Sequence, residues 1–282
     1  MTTVPSLQLN DGTAIPQLGF GVFQVPPDQT AATVLTAFEV GYRHIDTAQM
    51  YQNEAGVGAA IKDSGLDRDD LYITTKLNNG FHRPDDARRS LEESLTKLGL
   101  DRVDLFLIHW PLPTRYDGDF VSTWETLAEL QQDGMTRSIG VSNFQPSHLD
   151  AIVHKTGVIP VVNQVEVHPF FANEEVRAAN ARHGVLTEAW SPIAQGAVND
   201  DDVMGELASL VGKSPAQVAL RWHIQRGDVV FPKSVHRERM QQNFDLFDWS
   251  LSADQMASVD DLDLGEPGRT GPNPDVFDYI PR

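Results

Sequence analysis

Along the chain, short runs of β-branched and apolar residues alternate with stretches in which apolar positions return every three or four residues. The runs end near Phe20-Gly21, His44-Ile45-Asp46, Thr74-Thr75-Lys76, Leu107-Ile108-His109, Gly140-Val141-Ser142, Gln164-Val165-Glu166, Glu188-Ala189-Trp190 and Phe231-Pro232-Lys233, which predicts eight strands. Between them the helical period shows in Ala87, Leu91, Leu95 and Leu98, and again in Phe120, Trp124, Leu127 and Leu130. Capping boxes at Ser214-Pro215-Ala216-Gln217 and Ser252-Ala253-Asp254-Gln255 mark two helix starts, the first with proline at the first helical position. Strands that are apolar nearly throughout and fenced by helices belong to a parallel sheet covered on both faces. Eight such units predict one α/β domain over residues 1–282, a closed (β/α)8 TIM barrel, with an open doubly wound sheet as the alternative.

Both ends depart from this repeat. An Asn10-Asp11-Gly12 turn between apolar flanks predicts an N-terminal β-hairpin ahead of the first barrel strand. Beyond Gly265 the chain turns Gly/Pro-rich, which predicts an irregular C-terminal tail lying over one face.

Composition narrows the chemistry. The 282 residues include no cysteine, so disulfides, thiol nucleophiles and cysteine-held metals are excluded, and redox chemistry has to come from a bound cofactor. Lys and Arg number 22 against 40 Asp and Glu, and the net charge of -18 opposes binding to nucleic acid or an anionic membrane. No apolar stretch approaches the ~18 residues of a membrane span, and the opening Met1-Thr2-Thr3-Val4-Pro5-Ser6 lacks the pattern of a secretory signal. The expectation is a cytoplasmic monomer acting on a small molecule.

In a barrel the C-terminal strand ends surround one mouth, where active sites form. Asp46, Lys76, His109, Glu166 and Lys233 are expected to converge there, with Tyr51 five residues beyond Asp46. Singly, each has an ordinary structural reading as a cap, a solvent-reaching lysine or a packing histidine. Together, a carboxylate, an ammonium, an imidazole and a phenol suit delivery of a proton to a carbonyl oxygen under hydride attack. A phenol with an ordinary pKa of about 10 is protonated at neutral pH. Lys76 is expected to lower that pKa, and Asp46 to keep Lys76 charged: at ~4 Å and an effective dielectric near 20 the attraction is roughly 4 kcal/mol. His109, neutral, would orient the carbonyl oxygen.

A second constellation follows the last strand. Lys233, Arg237 and Arg239 gather at a helix start in an otherwise acidic protein, the pattern of a phosphate site, and the loops after the seventh and eighth strands are where barrels place one. Trp190 offers a flat face for a nicotinamide ring. Gly56-Val57-Gly58-Ala59-Ala60-Ile61 begins like a dinucleotide fingerprint, but it lacks the third glycine and sits within a predicted helix, so it is read as helix packing. The sequence holds no HExxH, GxSxG or Walker A motif, and no metal site is expected.

These segments resemble the aldo-keto reductase family. Gly41 to Glu54 with Gly58 is similar to its first signature, Asp104 to Pro111 to its histidine strand, and Lys233 to Asn243 to its cofactor-phosphate signature. Ile139 to Phe144 and Val162 to Pro169 are similar to two further segments, so the likeness runs in order along nearly the whole chain and is nearest to bacterial members of the 2,5-diketo-D-gluconate reductase type. The resemblance implies a (β/α)8 barrel that binds NADPH/NADP+ without a Rossmann fold and reduces aldehydes or ketones, including dicarbonyls and keto-sugars, to alcohols. It implies a tetrad of Asp46, Tyr51, Lys76 and His109, with Tyr51 as general acid. By the same resemblance Ser142, Asn143 and Gln164 would hold the carboxamide and Trp190 would stack on the nicotinamide. Lys233, Ser234 and Arg239 would hold the 2′-phosphate, Gln242 and Asn243 would flank the adenine, and Ser191 and Val235 would be further cofactor contacts. Phe23, Trp110 and Phe277 are the expected walls of the substrate pocket. Two departures stand out: Leu77-Asn78-Asn79 follows the tetrad lysine where many members carry an aromatic residue, and Gln242 stands where glutamate is common.

Two other readings use the same residues: a cofactor-binding sensor with little turnover, and a phosphate-binding isomerase or aldolase with Lys76 as Schiff-base amine. The first predicts nucleotide binding without carbonyl-dependent oxidation, the second borohydride trapping on Lys76.

Overall fold

The strand runs are buried nearly throughout, polar residues included, as a parallel sheet covered on both faces requires. In the computed structural model, which describes residues 4–281, an antiparallel hairpin comes first, β1 (Ser6–Gln8) and β2 (Ala14–Pro16), with Gly12 at a φ of 85° in its turn. The predicted reading of Met1 to Thr3 lies outside the described residues. Eight strands follow: β3 (Phe20–Gly21), β4 (His44–Asp46), β5 (Tyr72–Leu77), β6 (Val103–Ile108), β7 (Thr136–Ser142), β8 (Val162–Glu166), β9 (Leu186–Trp190) and β10 (Val229–Val230). Neighbours in sequence are neighbours in the sheet, all parallel. A bridge between Leu18 and Val230 closes the ring, with Gly19 N–H donating to Val230 O at 2.9 Å. The closed barrel, not the open sheet, is the architecture.

Helices α1 (Pro27–Val40), α2 (Glu54–Ser64), α3 (Pro84–Leu98), α4 (Phe120–Gln132), α5 (Pro146–Thr156), α6 (Glu174–His183), α7 (Asp202–Val211) and α8 (Pro215–Arg226) wrap the barrel, followed by α9 (Arg237–Phe244) and α10 (Ala253–Asp260). The residues that signalled α3 and α4 are buried against the strands. Both predicted capping boxes close, at Ser214 with Gln217 and at Ser252 with Gln255. The last strand stops at Val230, short of the predicted Lys233, because Pro232 has no N–H to give a ladder.

Two cores result. One lies between strands and helices; the other fills the barrel floor, where Leu9 and Ile15 of the hairpin pack with Tyr72, Leu105, Leu107, Val162 and Val229. The hairpin therefore plugs the N-terminal mouth and leaves the opposite one for chemistry. The Gly56-Gly58 segment is helix packing, as its context predicts: a Cβ on Gly58 would lie 2.6 Å from the carbonyl oxygens of Leu98 and Lys97. Gly58→Ala is expected to cost about 1–3 kcal/mol by forcing α2 off α3, a loss that urea denaturation would register; unchanged stability would contradict the close approach.

Candidate active site

Asp46 ends β4 and Lys76 lies one residue before the end of β5, so the parallel register sets both side chains near the C-terminal mouth. Tyr51 sits in a short 3-10 turn, Gln49–Tyr51, that the loop holds from both sides. Ser90 Oγ donates to Gln49 Oε1 at 2.6 Å, Thr47 Oγ1 to Asn53 Oδ1 at 2.9 Å, and Asn53 Nδ2 to Val22 O at 2.9 Å. The result is a buried cluster. Lys76 Nζ donates to Asp46 Oδ1 at 2.6 Å, Thr47 O at 3.1 Å and the Tyr51 hydroxyl oxygen at 3.3 Å. His109, one residue past β6, meets the Tyr51 ring edge-on with centroids 5.6 Å apart. The four residues separated in sequence come together.

Their ionisation follows from burial and charge. Burial pushes the Tyr51 phenol above its ordinary value, with the Lys76 ammonium pulling the other way. The ammonium thus acts in the expected direction, but burial outweighs it, and the net shift is opposite to the predicted lowering. Burial would also push Lys76 down, yet the Asp46 charge, the Tyr51 oxygen and their hydrogen bonds hold it above the usual lysine range. Burial, with the Lys76 charge second, holds His109 well below the usual histidine range, so its imidazole is neutral. Its Nδ1 is buried and unpartnered, which leaves Nε2 as the nitrogen for a ligand. A charged lysine saturated by three acceptors is no nucleophile, and this disfavours the Schiff-base reading.

The floor beside this cluster is built from β7 to β9. Ser142 Oγ donates to Gln164 O at 2.8 Å; Asn143 Nδ2 donates to His109 O at 2.9 Å and Ser142 Oγ at 3.1 Å; Trp190 Nε1 donates to Asn143 Oδ1 at 2.9 Å. These bonds fix the half-buried indole. Asn143 and Ser191 hold left-handed backbone, at φ of 63° and 50°, just past the strands they follow. Strain of that kind at non-glycine residues gathers where a site needs it. Gln164 Nε2 reaches both Asp46 Oδ2 and Glu188 Oε2 at 2.9 Å. Glu188 was not singled out in the sequence; a carboxylate mid-run in Leu186–Trp190 was its available signal.

Beyond β10, Ser234 is buried and its Oγ accepts from His236 N–H at 3.0 Å, while Lys233, Val235, Arg239 and Gln242 are exposed and Asn243 is buried on α9. Arg237 is spent on Glu39, whereas Lys233 and Arg239 have no carboxylate partner among the described residues. Two unpaired cations beside a helix start suit a phosphate.

Of the three aromatic residues expected at the mouth, Phe23 is exposed and packs on the Tyr51 ring with centroids 5.0 Å apart, and Trp110 packs on Phe277 at 4.1 Å. A cleft of about 600 Å³ lies between Gln52, Arg115 and the tail residues Asp278, Tyr279, Ile280 and Pro281. The tail does lie over this face. Asn79 Nδ2 donates to Tyr279 O at 2.9 Å, and Arg115 pairs with Asp278 at 3.0 Å. Glu166 and Lys233 do not join the tetrad. Glu166 instead clasps the tail, accepting from Thr270 N–H at 2.7 Å, Thr270 Oγ1 at 2.5 Å, Gly271 N–H at 3.0 Å and His168 Nε2 at 3.1 Å. Gly271 there lies so close to Trp190 that a Cβ would come within 2.4 Å of the indole.

A barrel mouth that gathers a phenol, an ammonium, a carboxylate and an imidazole is that of an oxidoreductase acting on carbonyl groups. The chain belongs to the aldo/keto reductase family, whose model matches residues 16–264. An aldo-keto reductase of Mycolicibacterium smegmatis is 46% identical over 275 residues, covering 98% of each chain. The methylglyoxal reductase DkgA of Escherichia coli is 46% identical over 96% of this chain and 97% of its own. Among solved structures, a mutant of Gox0644 in complex with NADPH superposes with a TM-score of 0.94 at 41% identity, covering 99% of this chain and all of that one.

Proposed function

We propose that the protein reduces small aldehydes and ketones, dicarbonyls such as methylglyoxal among them, with NADP(H) as cofactor and Tyr51 as the proton donor. The observation that carries the reading is the Lys76 ammonium held between Asp46 and the Tyr51 hydroxyl, beside a neutral His109. The residues present fit the cofactor. The unpaired Lys233 and Arg239 with Ser234 would hold the 2′-phosphate, Val235 would border it, and Gln242 and Asn243 would flank the adenine. Trp190 would stack on the nicotinamide, with Ser191 beside it, and Ser142, Asn143 and Gln164 would hold its carboxamide. When bound, the cofactor supplies a hydride to the carbonyl carbon.

The chain's own groups handle the oxygen. Neutral His109 donates from Nε2 and orients it. As negative charge grows there, Tyr51 gives up its proton, and the Lys76 ammonium, 3.3 Å from the phenol oxygen, stabilises the phenolate left behind. Asp46 keeps Lys76 charged throughout. Phe23, Trp110 and Phe277 shield this transfer from water. All of these groups come from one chain, and a monomer suffices.

Mixing the protein with NADPH and methylglyoxal while following nicotinamide absorbance tests the reading; nucleotide binding without carbonyl-dependent oxidation would leave the sensor reading in its place. Arg239→Ala is expected to narrow the preference for NADPH over NADH by about ten- to hundredfold, because a charge-assisted phosphate contact contributes roughly 1.5–3 kcal/mol. An unchanged ratio of the two dissociation constants would remove Arg239 from the phosphate site.

A further inference from the structure

Glu188 lies in the middle of β9, inside the barrel and fully buried, where the parallel register pairs it with Gln164 of β8. Gln164 Nε2 stands 2.9 Å from Asp46 Oδ2 and 2.9 Å from Glu188 Oε2. The identity of that atom is fixed by chemistry. Asp46 is ionised against the Lys76 ammonium at 2.6 Å, and a carboxylate only accepts hydrogen bonds, so the amide atom facing it is nitrogen. An amide nitrogen has two hydrogens, and the two carboxyl groups take both. Gln164 Oε1 is left with no donor among the described residues.

We propose that Glu188 is a positioning residue that, together with Asp46, locks the Gln164 side-chain amide with its carbonyl turned to the donor side of the nicotinamide carboxamide. The inference rests on the NADP(H) reading above. The terminal torsion of glutamine is broad and roughly two-fold, so Asp46 alone leaves one N–H uncommitted, and a rotated amide would present a donor to the carboxamide's own NH2. Asp46 and Lys76 are the charged groups facing Glu188, with the Tyr72 phenol below it. Burial, with Asp46 second, pushes the Glu188 carboxyl up to about 8. It therefore accepts from Gln164 without placing a second negative charge beside the Asp46–Lys76 pair. Among the described residues its Oε1 and the Tyr72 hydroxyl are both buried without a partner, and the hydrogen bond this carboxyl makes there is the one to Gln164.

The test is a pair of fluorescence titrations on the full chain, with NADP+ and with 2′-phospho-ADP-ribose, which lacks the nicotinamide. Glu188→Leu is expected to weaken NADP+ about tenfold while 2′-phospho-ADP-ribose stays within about twofold, and Glu188→Gln, which keeps an acceptor, to restore NADP+ to within about threefold. Glu188→Met, similar in volume and flexible, is a second apolar variant expected to show the same split should the leucine variant not fold. Unchanged NADP+ affinity in the apolar variants, or equal loss for both ligands, would overturn the positioning role while leaving the cofactor assignment intact. A wild-type chain that binds neither ligand would overturn both.

Discussion

Tyr51→Phe is expected to lower kcat for carbonyl reduction by about 10²–10⁴-fold, the usual weight of a positioned general acid, with the dissociation constant of NADPH within about twofold of wild type. The substitution removes one oxygen and keeps the ring that packs on Phe23 and His109. The Asp46–Lys76 pair survives with Thr47 O still in place. Nothing at the phosphate end is touched, so the loss belongs to the chemical step. Stopped-flow oxidation of NADPH under single-turnover conditions isolates that step from product release. Because burial raises the Tyr51 pKa, the wild-type phenol keeps its proton through neutral pH, and no ionisation of Tyr51 is expected to limit the rate there. Retention of most activity would remove Tyr51 as the acid.

Lys76→Met is the second large expectation, and it falls on stability as well as rate. The ammonium is fully buried and Asp46 nearly so; its removal leaves the carboxylate inside the barrel with Gln164 as its remaining side-chain donor. Breaking a buried pair from one side costs about 3–5 kcal/mol. Adding Asp46→Asn to Lys76→Met is expected to recover part of that cost, because a neutral amide needs no counter-ion. The pH dependence has a definite sign. The fold raises the Lys76 pKa above its ordinary 10.5, so its contribution is complete below that value and is lost as pH rises through the folded pKa. Above pH 10.5 the wild type is therefore expected to lose stability more steeply than Lys76→Met in urea titrations. Parallel curves, or a single mutant as stable as wild type, would show that the pair contributes little.

The barrel was legible because its periodicity is local. Each strand run is bounded by its own stop residues, and the apolar stripe of Ala87, Leu91, Leu95 and Leu98 is complete within one helix. The gathering of Asp46, Lys76 and His109 was legible for the same reason: all three stand at or near strand ends, and a barrel brings strand ends to one level. Glu166 met that rule too and still went elsewhere. Its partners, Thr270 and Gly271, lie more than a hundred residues on in a tail with no periodicity to announce its path. The sign of the Tyr51 shift was out of reach because burial, which decides it, belongs to the packed loop around Gln49 and Asn53. Glu188 was hidden in a run that looks like ordinary strand, where only the register with Gln164 gives the carboxyl a task. The short β10 was misjudged because Phe231 extends the apolar run past the point where Pro232 ends the ladder.

The measurement that bears most directly on the proposed chemistry is a stoichiometric one. Wild-type protein, NADPH and methylglyoxal are mixed, and nicotinamide oxidation is compared with the amount of alcohol formed. Equal amounts of both are expected in the wild type, and in Tyr51→Phe both are expected to form about 10²–10⁴-fold more slowly. Undiminished NADPH in the wild-type reaction, or alcohol formed equally fast by the phenylalanine variant, would contradict it.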